Sequence, residues 1–300
     1  MKNKALKRLI SGLSLLLTSL PFFSFASNSS QKDTVTGSNY KIRTIIVDPG
    51  HGVRPPGATG NFSPGASGAY SFERDVTLAI ALKLRQEIEK QLAGVKVVLT
   101  RSTSEDVAWQ KRADIANENK GDLFISLHCN SLADRHVREI VGHKHHKPVY
   151  RTVDVPDRSG KGVLMLVYGF HRTKEEERAI KENLVEGELE MNSDPDPNDP
   201  AAMILMNEYK RKYRKQSIHL AELMVSEFTT DGRRIEGIRE QGVLVLCHSA
   251  MPAVLVETGY INNPEDEAYL NSETGQNEIV ASIIRALKSY KDEIEASVQP

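Results

Sequence analysis

The sequence predicts an α/β fold in which a mostly parallel, twisted sheet is covered by helices on both faces. From residue 44 onward, short runs rich in Val, Ile and Leu alternate with segments whose apolar residues recur at helical spacing. Unbroken apolar runs of this kind are typical of parallel strands that are buried on both faces. Three hundred residues with 39% hydrophobic and 26% charged content can form a well-buried core. A disordered chain, a collagen and a coiled coil are therefore excluded.

The first 26 residues are typical of a cleaved secretory signal peptide. Four cations and no acid accompany an apolar run from Leu9 to Leu20, and Ser24 and Ala26 supply the small residues that a signal peptidase requires. We expect cleavage after Ala26 and export to the periplasm. An uncleaved anchor is the alternative, but its serines, threonines and Pro21 leave the run only marginally apolar for a bilayer that needs about 20 residues. We expect no transmembrane anchor in the mature chain.

The charge balance argues against nucleic acid as a partner. Without the first 26 residues the chain has 35 cations against 40 acids, a net charge of -5. A phosphate-binding surface needs clustered cations that no acid compensates. Residues 27–40 are small and polar and form a predicted linker, so we expect one folded domain over residues 41–295.

The first part of this domain contains three predicted strands and two predicted helices. The strands are expected at 44–47, 95–99 and 123–127. An i, i+4 stripe from Val76 to Leu92 predicts the first helix. Ser102 and Glu105 resemble a capping box ahead of a second helix that runs through Ala116.

About 110 residues then interrupt the alternation, which is far longer than a usual connection. We therefore predict an insert over about 132–241, with the sheet resuming only after it. Its predicted parts are a His- and Arg-rich loop (134–160), an apolar run (163–168), an acidic helix-like piece (174–190) and a long helix (201–228). Two further strands (243–246 and 253–256) and a closing helix (277–294) are expected to complete the fold.

The chain has only two cysteines, Cys129 and Cys247, so no disulfide framework holds this exported protein together. Each lies at the end of an apolar run, and we expect two buried, unpaired thiols; a single disulfide is the alternative. The stretch from His136 to His146 is expected to be an exposed basic loop, with a surface metal site as the alternative.

Four polar residues are placed where they could meet. His51 follows the first predicted strand, His128 the third and Glu257 the last, and Glu73 lies just before the first helix. The carboxyl ends of parallel strands share one edge of the sheet, where ligands bind in open α/β folds. Two imidazoles and one carboxylate form the ligand set of a catalytic zinc ion whose fourth position is left to water, and the second carboxylate then serves as a base.

Five motifs carry a resemblance to a known family. They are VDPGHG at 47–52, ERDV at 73–76, RADIAN at 112–117, SLHCN at 126–130 and MPAVLVETGYINN at 251–263. In these motifs and their order the chain resembles the zinc-dependent N-acetylmuramoyl-L-alanine amidases, and the resemblance covers residues 41–290. One departure concerns the segment after the first motif, where Val53 stands in place of the family's usual second glycine and 21 residues separate His51 from Glu73, among them Tyr70 and Phe72.

The resemblance implies that His51, Glu73 and His128 hold one zinc ion (Zn²⁺) and that Glu257 is the catalytic glutamate. It also implies a six-stranded mixed sheet with flanking helices. The expected reaction is cleavage of the amide that joins the lactyl group of N-acetylmuramic acid to L-alanine in peptidoglycan. In such a site zinc lowers the pKa of water to about 7, and Glu257 would move the proton.

The insert resembles the regulatory insert of amidases that act in bacterial cell separation. In several of these, a glutamate of the insert occupies the open zinc position until an activator protein displaces it. Glu182 is the candidate for that autoinhibitory role. A solvated acidic helix face is the alternative, because several other glutamates crowd the same stretch.

The main prediction is a periplasmic zinc amidase that removes peptide stems from peptidoglycan during daughter-cell separation. A zinc peptidase that cuts inside the stem is the alternative among enzymes, because the metal chemistry would be the same. A catalytically silent wall-binding module is the alternative outside enzymes. It predicts the loss of a site residue, whereas His51, Glu73, His128 and Glu257 are all present.

Overall fold

Eight strands and six helices span the residues that the computed structural model describes, which are 41–59, 62–169 and 200–296. The strands are β1 (Thr44–Pro49), β2 (Lys96–Leu99), β3 (Leu123–Asn130), β4 (Arg135–Lys144), β5 (Lys147–Val155), β6 (Val163–Tyr168), β7 (Ile235–Gln241) and β8 (Ala253–Tyr260). The helices are α1 (Glu73–Gln91), α2 (Trp109–Glu118), α3 (Pro200–Thr230), α4 (Leu244–Cys247), α5 (Pro264–Asn271) and α6 (Glu273–Ala296).

Six of these strands form one mixed sheet in the order β2-β1-β3-β8-β6-β7. Neighbouring strands run parallel except β6 and β8, which are antiparallel. The predicted α/β fold with a mixed six-stranded sheet is confirmed. The carboxyl ends of β1, β3 and β8 lie at one edge, which we call the carboxyl edge.

Two strands of the sheet come from the predicted insert. β6 is buried along its whole length, and β7 pairs with it at the end of the sheet. The expectation that the sheet resumes only after residue 241 is therefore wrong. An apolar run such as β6 can form a buried strand even where the regular alternation of short strands and helices is absent. The predicted long helix is confirmed as α3. The predicted acidic piece at 174–190 lies outside the described residues.

The region from residue 134 to 160 is largely a hairpin rather than a loop. β4 and β5 pair with each other in a separate two-stranded sheet, and every residue of β4 is exposed. The hairpin was not predictable from burial, because a fully exposed strand has no apolar face to set a period of two. We refer to residues 135–155 as the β4–β5 hairpin.

Two local predictions are also wrong. The predicted strand at 243–246 is the short helix α4, because a four-residue apolar run fits one helical turn as well as a strand. The predicted capping box at Ser102 and Glu105 does not cap α2, which begins at Trp109 after Ala108 and has no side-chain cap. Glu105 instead forms an isolated bridge with Val53.

Both faces of the sheet are covered. On one face, Ile45 and Val47 of β1 pack in a core with apolar residues of α1, α3 and α6, whereas Ile46 faces a second core that includes residues of α4. This alternation follows from the pleat, which turns successive side chains to opposite faces. The cores fix β1, β3 and α1, the elements that carry the polar residues of the carboxyl edge.

Cys129 and Cys247 are buried and form no disulfide, as predicted. In the parts of the chain that the structure describes, no helix combines the length and the apolar character needed to cross a bilayer.

Candidate metal centre

Three predicted metal ligands meet at the carboxyl edge. Oε1 of Glu73 lies 3.2 Å from Nε2 of His51 and 2.9 Å from Nδ1 of His128. Donor atoms of the three side chains all lie within 4.8 Å of one another. The two imidazole rings meet edge to face, with centroids 4.7 Å apart. Within the described ranges, this is the one group of three or more His, Cys, Asp or Glu side chains whose donor atoms lie that close.

Each ligand comes from a different element. His51 follows β1, His128 belongs to β3, and Glu73 is the first residue of α1. The expectation that His128 and Glu257 stand beyond their strands is wrong, because β3 and β8 continue to residues 130 and 260. Both residues are nevertheless in the carboxyl-terminal half of their strands, so the predicted meeting at one edge occurs.

The backbone around His51 is shaped for close approach. His51 has a φ of +60°, a conformation that residues other than glycine rarely adopt and that is typical of functional sites. A side chain at Gly50 would place its Cβ 2.4 Å from Nε2 of His128, so only glycine leaves room for that ring. The sequence Gly50-His51 therefore brings the two imidazoles together.

Glu73 is held as an ionised carboxylate. Its Oε2 accepts a hydrogen bond from the backbone N–H of Ala66 at 2.7 Å, and Oε1 accepts one from Cys129 N–H at 3.0 Å. Burial raises the pKa of Glu73, but hydrogen bonds from His128 and His51 and their charges outweigh it and hold the pKa well below its usual range. The pKa of His128 is raised, because Glu73 outweighs the opposing effect of burial.

Glu257 lies beside this cluster on β8, in register with His128 on β3. Its Oε2 is buried and has no hydrogen-bond partner among the described residues. Burial raises the pKa of Glu257 to about 7; the positive charge of His128 lowers it and the negative charge of Glu73 raises it. A carboxyl that has one unpaired oxygen and a pKa raised toward neutral pH can both accept and donate a proton.

A buried ionic network fixes the segment that carries His51. Arg112 contacts Oδ1 of Asp48 at 2.7 Å and Oδ1 of Asp106 at 2.5 Å. It also donates to the carbonyls of Pro49 at 2.6 Å and His51 at 2.8 Å. All three charged side chains are buried. Because its donors reach two carboxylates and two carbonyls, Arg112 ties α2 to the end of β1.

A second buried arginine acts on the same turn. Arg101 donates to the carbonyls of Pro49 and Gly50, both at 2.9 Å, and to that of Arg74 at 2.7 Å. It thereby links the turn before His51 to the first turn of α1, which begins with Glu73. The positioning roles of Arg101 and Arg112 were not predicted from the sequence. A charged Asp48 inside an apolar strand was the available signal, because a buried carboxylate requires a cationic partner.

Other predicted residues lie elsewhere. Glu182 lies outside the described residues. His136 of the β4–β5 hairpin pairs with Asp154 at 2.5 Å between Nδ1 and Oδ1, and both side chains are exposed. The hairpin histidines belong to no close donor group of the kind formed by His51, Glu73 and His128 within the described ranges.

The N-acetylmuramoyl-L-alanine amidase family model matches residues 45–289. A putative N-acetylmuramoyl-L-alanine amidase of Buchnera aphidicola is 28% identical over 247 residues, which cover 82% of this chain and 95% of the relative. AmiC of Escherichia coli is 27% identical over 82% of this chain, and the probable cell wall amidase LytH of Staphylococcus aureus is 26% identical over 88% of it. The matches span 52% of AmiC and 62% of LytH.

Solved structures share the fold. The N-acetylmuramyl-L-alanine amidase of Mycobacterium smegmatis matches with a TM-score of 0.55 and 18% identity, over 85% of this chain and all of that one. The N-acetylmuramoyl-L-alanine amidase of Clostridium difficile 630 matches with a TM-score of 0.52 and 21% identity, over 84% of this chain and 98% of that one.

Proposed function

The chain belongs to the N-acetylmuramoyl-L-alanine amidase family, and from this premise we propose that it is a zinc-dependent enzyme that cleaves the amide between N-acetylmuramic acid and L-alanine in peptidoglycan. The observation that carries the proposal is the convergence of His51, Glu73 and His128 beside Glu257, whose buried Oε2 has no hydrogen-bond partner among the described residues. Family membership indicates the substrate, and the cluster provides the groups needed to bind a metal ion and transfer a proton.

The donor set fits zinc. Two imidazoles and one carboxylate are the protein ligands of many catalytic zinc sites. The carboxylate of Glu73 is ionised and oriented by two backbone N–H groups. Nε2 of His51 and Nδ1 of His128 both face Oε1 of Glu73, and an imidazole nitrogen binds a metal in its deprotonated form. We therefore propose His51, Glu73 and His128 as the zinc ligands.

The chain's own groups account for proton movement and positioning. Bound zinc would lower the pKa of water to about 7 and polarise the amide carbonyl. Glu257 takes the proton of the attacking water on its unpaired oxygen and later delivers it to the leaving nitrogen of L-alanine. Burial raises the pKa of Glu257 above its ordinary value, which favours retention of the proton until it is delivered to the leaving nitrogen. Arg101 and Arg112 hold the backbone that carries His51 and so act as positioning residues.

A zinc peptidase that cuts inside the peptide stem would use the same cluster. The two reactions leave different products: the amidase frees a stem with an intact L-alanine amino terminus and leaves the sugar with its lactyl carboxyl group. Incubation of the protein with purified sacculi, followed by mass spectrometry of the released peptides, distinguishes them. Peptides that begin inside the stem would refute the amidase proposal.

The metal requirement is tested in the same assay. A chelator should stop the release of stems, and added zinc should restore it. The Glu257→Gln variant is the control for contaminating hydrolases, because added zinc should not restore its rate of stem release to that of the unchanged protein. Release of stems that persists after the chelator has removed all bound metal would contradict zinc dependence.

For the cellular role, we propose export by the signal-like residues 1–26 and action on the periplasmic wall during daughter-cell separation. The basic start and apolar run of the sequence support export. Fractionation of cells that produce the full chain or a chain lacking residues 2–26 tests this. Only the full chain should appear in the periplasm, and loss of the protein should leave unseparated daughter cells.

We also propose that the insert is autoinhibitory and that Glu182 occupies the open metal position until an activator protein displaces it. The proposal rests on the resemblance stated above, because Glu182 lies outside the described residues. Glu182→Ala should raise activity in the absence of any activator, whereas Glu188→Ala, a charge-matched control in the same stretch, should not. Equal basal rates for the unchanged protein and Glu182→Ala would refute the assignment.

A further inference from the structure

The exposed large hydrophobic side chains of the described residues fall into two groups. Five belong to the β4–β5 hairpin. The other three, Val53, Tyr70 and Phe72, lie in the segment between His51 and Glu73, and Tyr70 is the most exposed of all eight at 66%. Contiguous exposed apolar surface is typical of ligand-binding sites.

Tyr70 lies at the tip of a short closed loop. Glu73 N–H donates to the carbonyl of Ala66 at 3.0 Å, Ser67 and Phe72 form an antiparallel bridge, and Gly68 N–H donates to the carbonyl of Ser71 at 2.9 Å. The base of the loop is thus tied to a proposed zinc ligand. We call residues 66–73 the aromatic loop.

A buried carboxylate holds the aromatic loop from below. Glu267 of α5 is 1% exposed and accepts hydrogen bonds from three successive backbone N–H groups, those of Ala69, Tyr70 and Ser71, at 2.9, 2.9 and 3.0 Å. The Ser71 hydroxyl donates to it at 2.8 Å. Burial raises the pKa of Glu267, but these hydrogen bonds outweigh it and lower the pKa. An exposed aromatic on a loop fixed by four charge-assisted hydrogen bonds loses little freedom when it binds a ligand.

The second aromatic of the loop is also oriented. The guanidinium of Arg74 lies 4.1 Å from the ring centroid of Phe72, so it covers one face of the ring. The ring is still 45% exposed. Phe72 directly precedes Glu73 in the chain, and the loop that carries it is hydrogen-bonded to Glu73 through the Ala66 carbonyl.

We propose that Tyr70 and Phe72 form a saccharide-binding subsite that holds a pyranose ring of the glycan strand next to the metal centre. The inference rests on the proposed function, which brings a glycan strand to this edge. Sugar rings present flat C–H faces that pack against aromatic faces, and the hydroxyl of Tyr70 can also meet a sugar hydroxyl. The stem peptide offers small and charged side chains, which have little flat apolar surface. The exposed rings therefore match the glycan rather than the stem.

The test is a binding measurement that needs no catalysis. The full chain with Glu257→Gln is titrated with a peptide-free chito-oligosaccharide, followed by calorimetry. In this background Tyr70→Ala should weaken binding by about threefold to tenfold, because an aromatic contact is worth about 0.5–1.5 kcal/mol. Tyr70→Phe should bind within about twofold of the parent, because the ring face is retained. Tyr150→Ala on the β4–β5 hairpin, also an exposed tyrosine, should leave binding unchanged.

Equal affinity for the parent and Tyr70→Ala, or no binding of the saccharide by the parent, would overturn the subsite. A role of Glu267 in positioning is tested by a double-mutant cycle: Glu267→Ala should weaken binding when Tyr70 is present and cause a smaller further loss in the Tyr70→Ala background. The outcomes are independent of the proposed reaction. If the chain binds the saccharide but neither it nor its Glu182→Ala variant releases stems, the amidase activity is refuted and the subsite is retained.

Discussion

His128 and Glu257 lie directly opposite each other where β3 and β8 pair in parallel. Directly paired positions of neighbouring strands point to the same face of the sheet, so a proposed metal ligand and the proposed base are cross-strand neighbours. The register shifts immediately after this pair, between residues 128 and 130. Such irregularities re-aim side chains near active sites. The ladder of β3 and β8 therefore sets the spacing between the metal centre and the proton-transfer group.

Because His128 is a proposed metal ligand and Glu257 is the proposed base, substitutions at these two positions should affect metal binding differently. Glu257→Gln should lower the rate of stem release by about 10²–10⁴-fold, because the general acid and base is lost. It should retain the metal, because Glu257 is not among the three converging donors. His128→Ala should lose both. Metal analysis of the purified variants alongside the activity assay checks this. The Glu139→Gln variant on the β4–β5 hairpin is the control, and equal metal loss in Glu257→Gln and His128→Ala would contradict the assignment of roles.

Metal removal should also lower thermal stability. The proposed ligands come from the turn after β1, the start of α1 and from β3, so a bound ion would join three elements. At a free zinc concentration of about 100 times Kd, binding contributes about 2.7 kcal/mol, which corresponds to a rise in Tm of about 5–10 °C for a chain of this size. Differential scanning calorimetry of chelated and zinc-loaded protein measures it. His51→Ala should abolish the zinc-dependent rise, and an equal rise in that variant would contradict the site.

The pKa of Glu257 predicts a pH dependence in the metal-free protein. Its folded-state value of about 7 exceeds its ordinary value of 4.5, so the folded state favours the neutral carboxyl. The contribution to stability is therefore complete below pH 4.5 and is lost as the pH rises through 7, and it amounts to about 3 kcal/mol. Urea unfolding of chelated protein at pH 5 and pH 8 measures this. Glu257→Gln should lose less stability than the unchanged protein over that interval, and parallel losses would contradict the prediction.

The network of Arg112 should be essential to the fold. Arg112→Met leaves Asp48 and Asp106 buried without their cation, which should lower the free energy of unfolding by about 3–5 kcal/mol. Denaturant unfolding measures the loss. Lys111→Met is the neighbouring control on α2 and should cost little, because Lys111 pairs with Glu118 on the exposed surface of the helix. A loss for Arg112→Met as small as that of the control would contradict the prediction.

The same network predicts acid sensitivity. Burial raises the pKa of Asp48, but the charge of Arg112 and hydrogen bonds from Ser126 and Thr100 outweigh it and hold the pKa below its ordinary value of 3.8. This contribution to stability is present above pH 3.8 and is lost as the pH falls through the lower folded-state value. Acid unfolding followed by circular dichroism should show a smaller dependence on pH below 3.8 for Asp48→Asn than for the unchanged protein.

The β4–β5 hairpin should be dispensable for the fold. Arg135 and Val155 are the outermost paired residues, so replacing residues 136–154 by an Asn-Gly turn closes the chain with little strain. Because every residue of β4 is exposed, the change should shift Tm by only a few degrees and preserve zinc binding. A cooperative fold that is lost with the hairpin would contradict this prediction.

The sequence was sufficient to predict the parts of the molecule that local patterns determine. Strand-end logic predicted the meeting of His51, Glu73 and His128, since parallel strands bring their carboxyl ends to one edge whatever their order. The direction of β6 was not predictable, because a buried parallel strand and a buried antiparallel strand can have the same apolar sequence pattern. The roles of Arg101 and Arg112 were missed because their partners are distant in sequence, with Arg112 and Asp48 separated by 64 residues.

The antiparallel direction of β6 has a consequence for any carboxylate that is to reach the metal centre from the segment after residue 169. β6 begins beside Glu257 and ends beside Val254, so Gly169 lies about 17 Å away at the remote edge of the sheet. Glu182 follows thirteen residues later, a span of about 45 Å for extended chain and about 20 Å for helix. The helical length would therefore exceed the distance of about 17 Å by only a few ångströms, so a helix could bring Glu182 to the metal centre only by running directly toward the carboxyl edge. The antiparallel direction of β6 thus sets the minimum distance that a carboxylate of this segment must cover to block the metal centre.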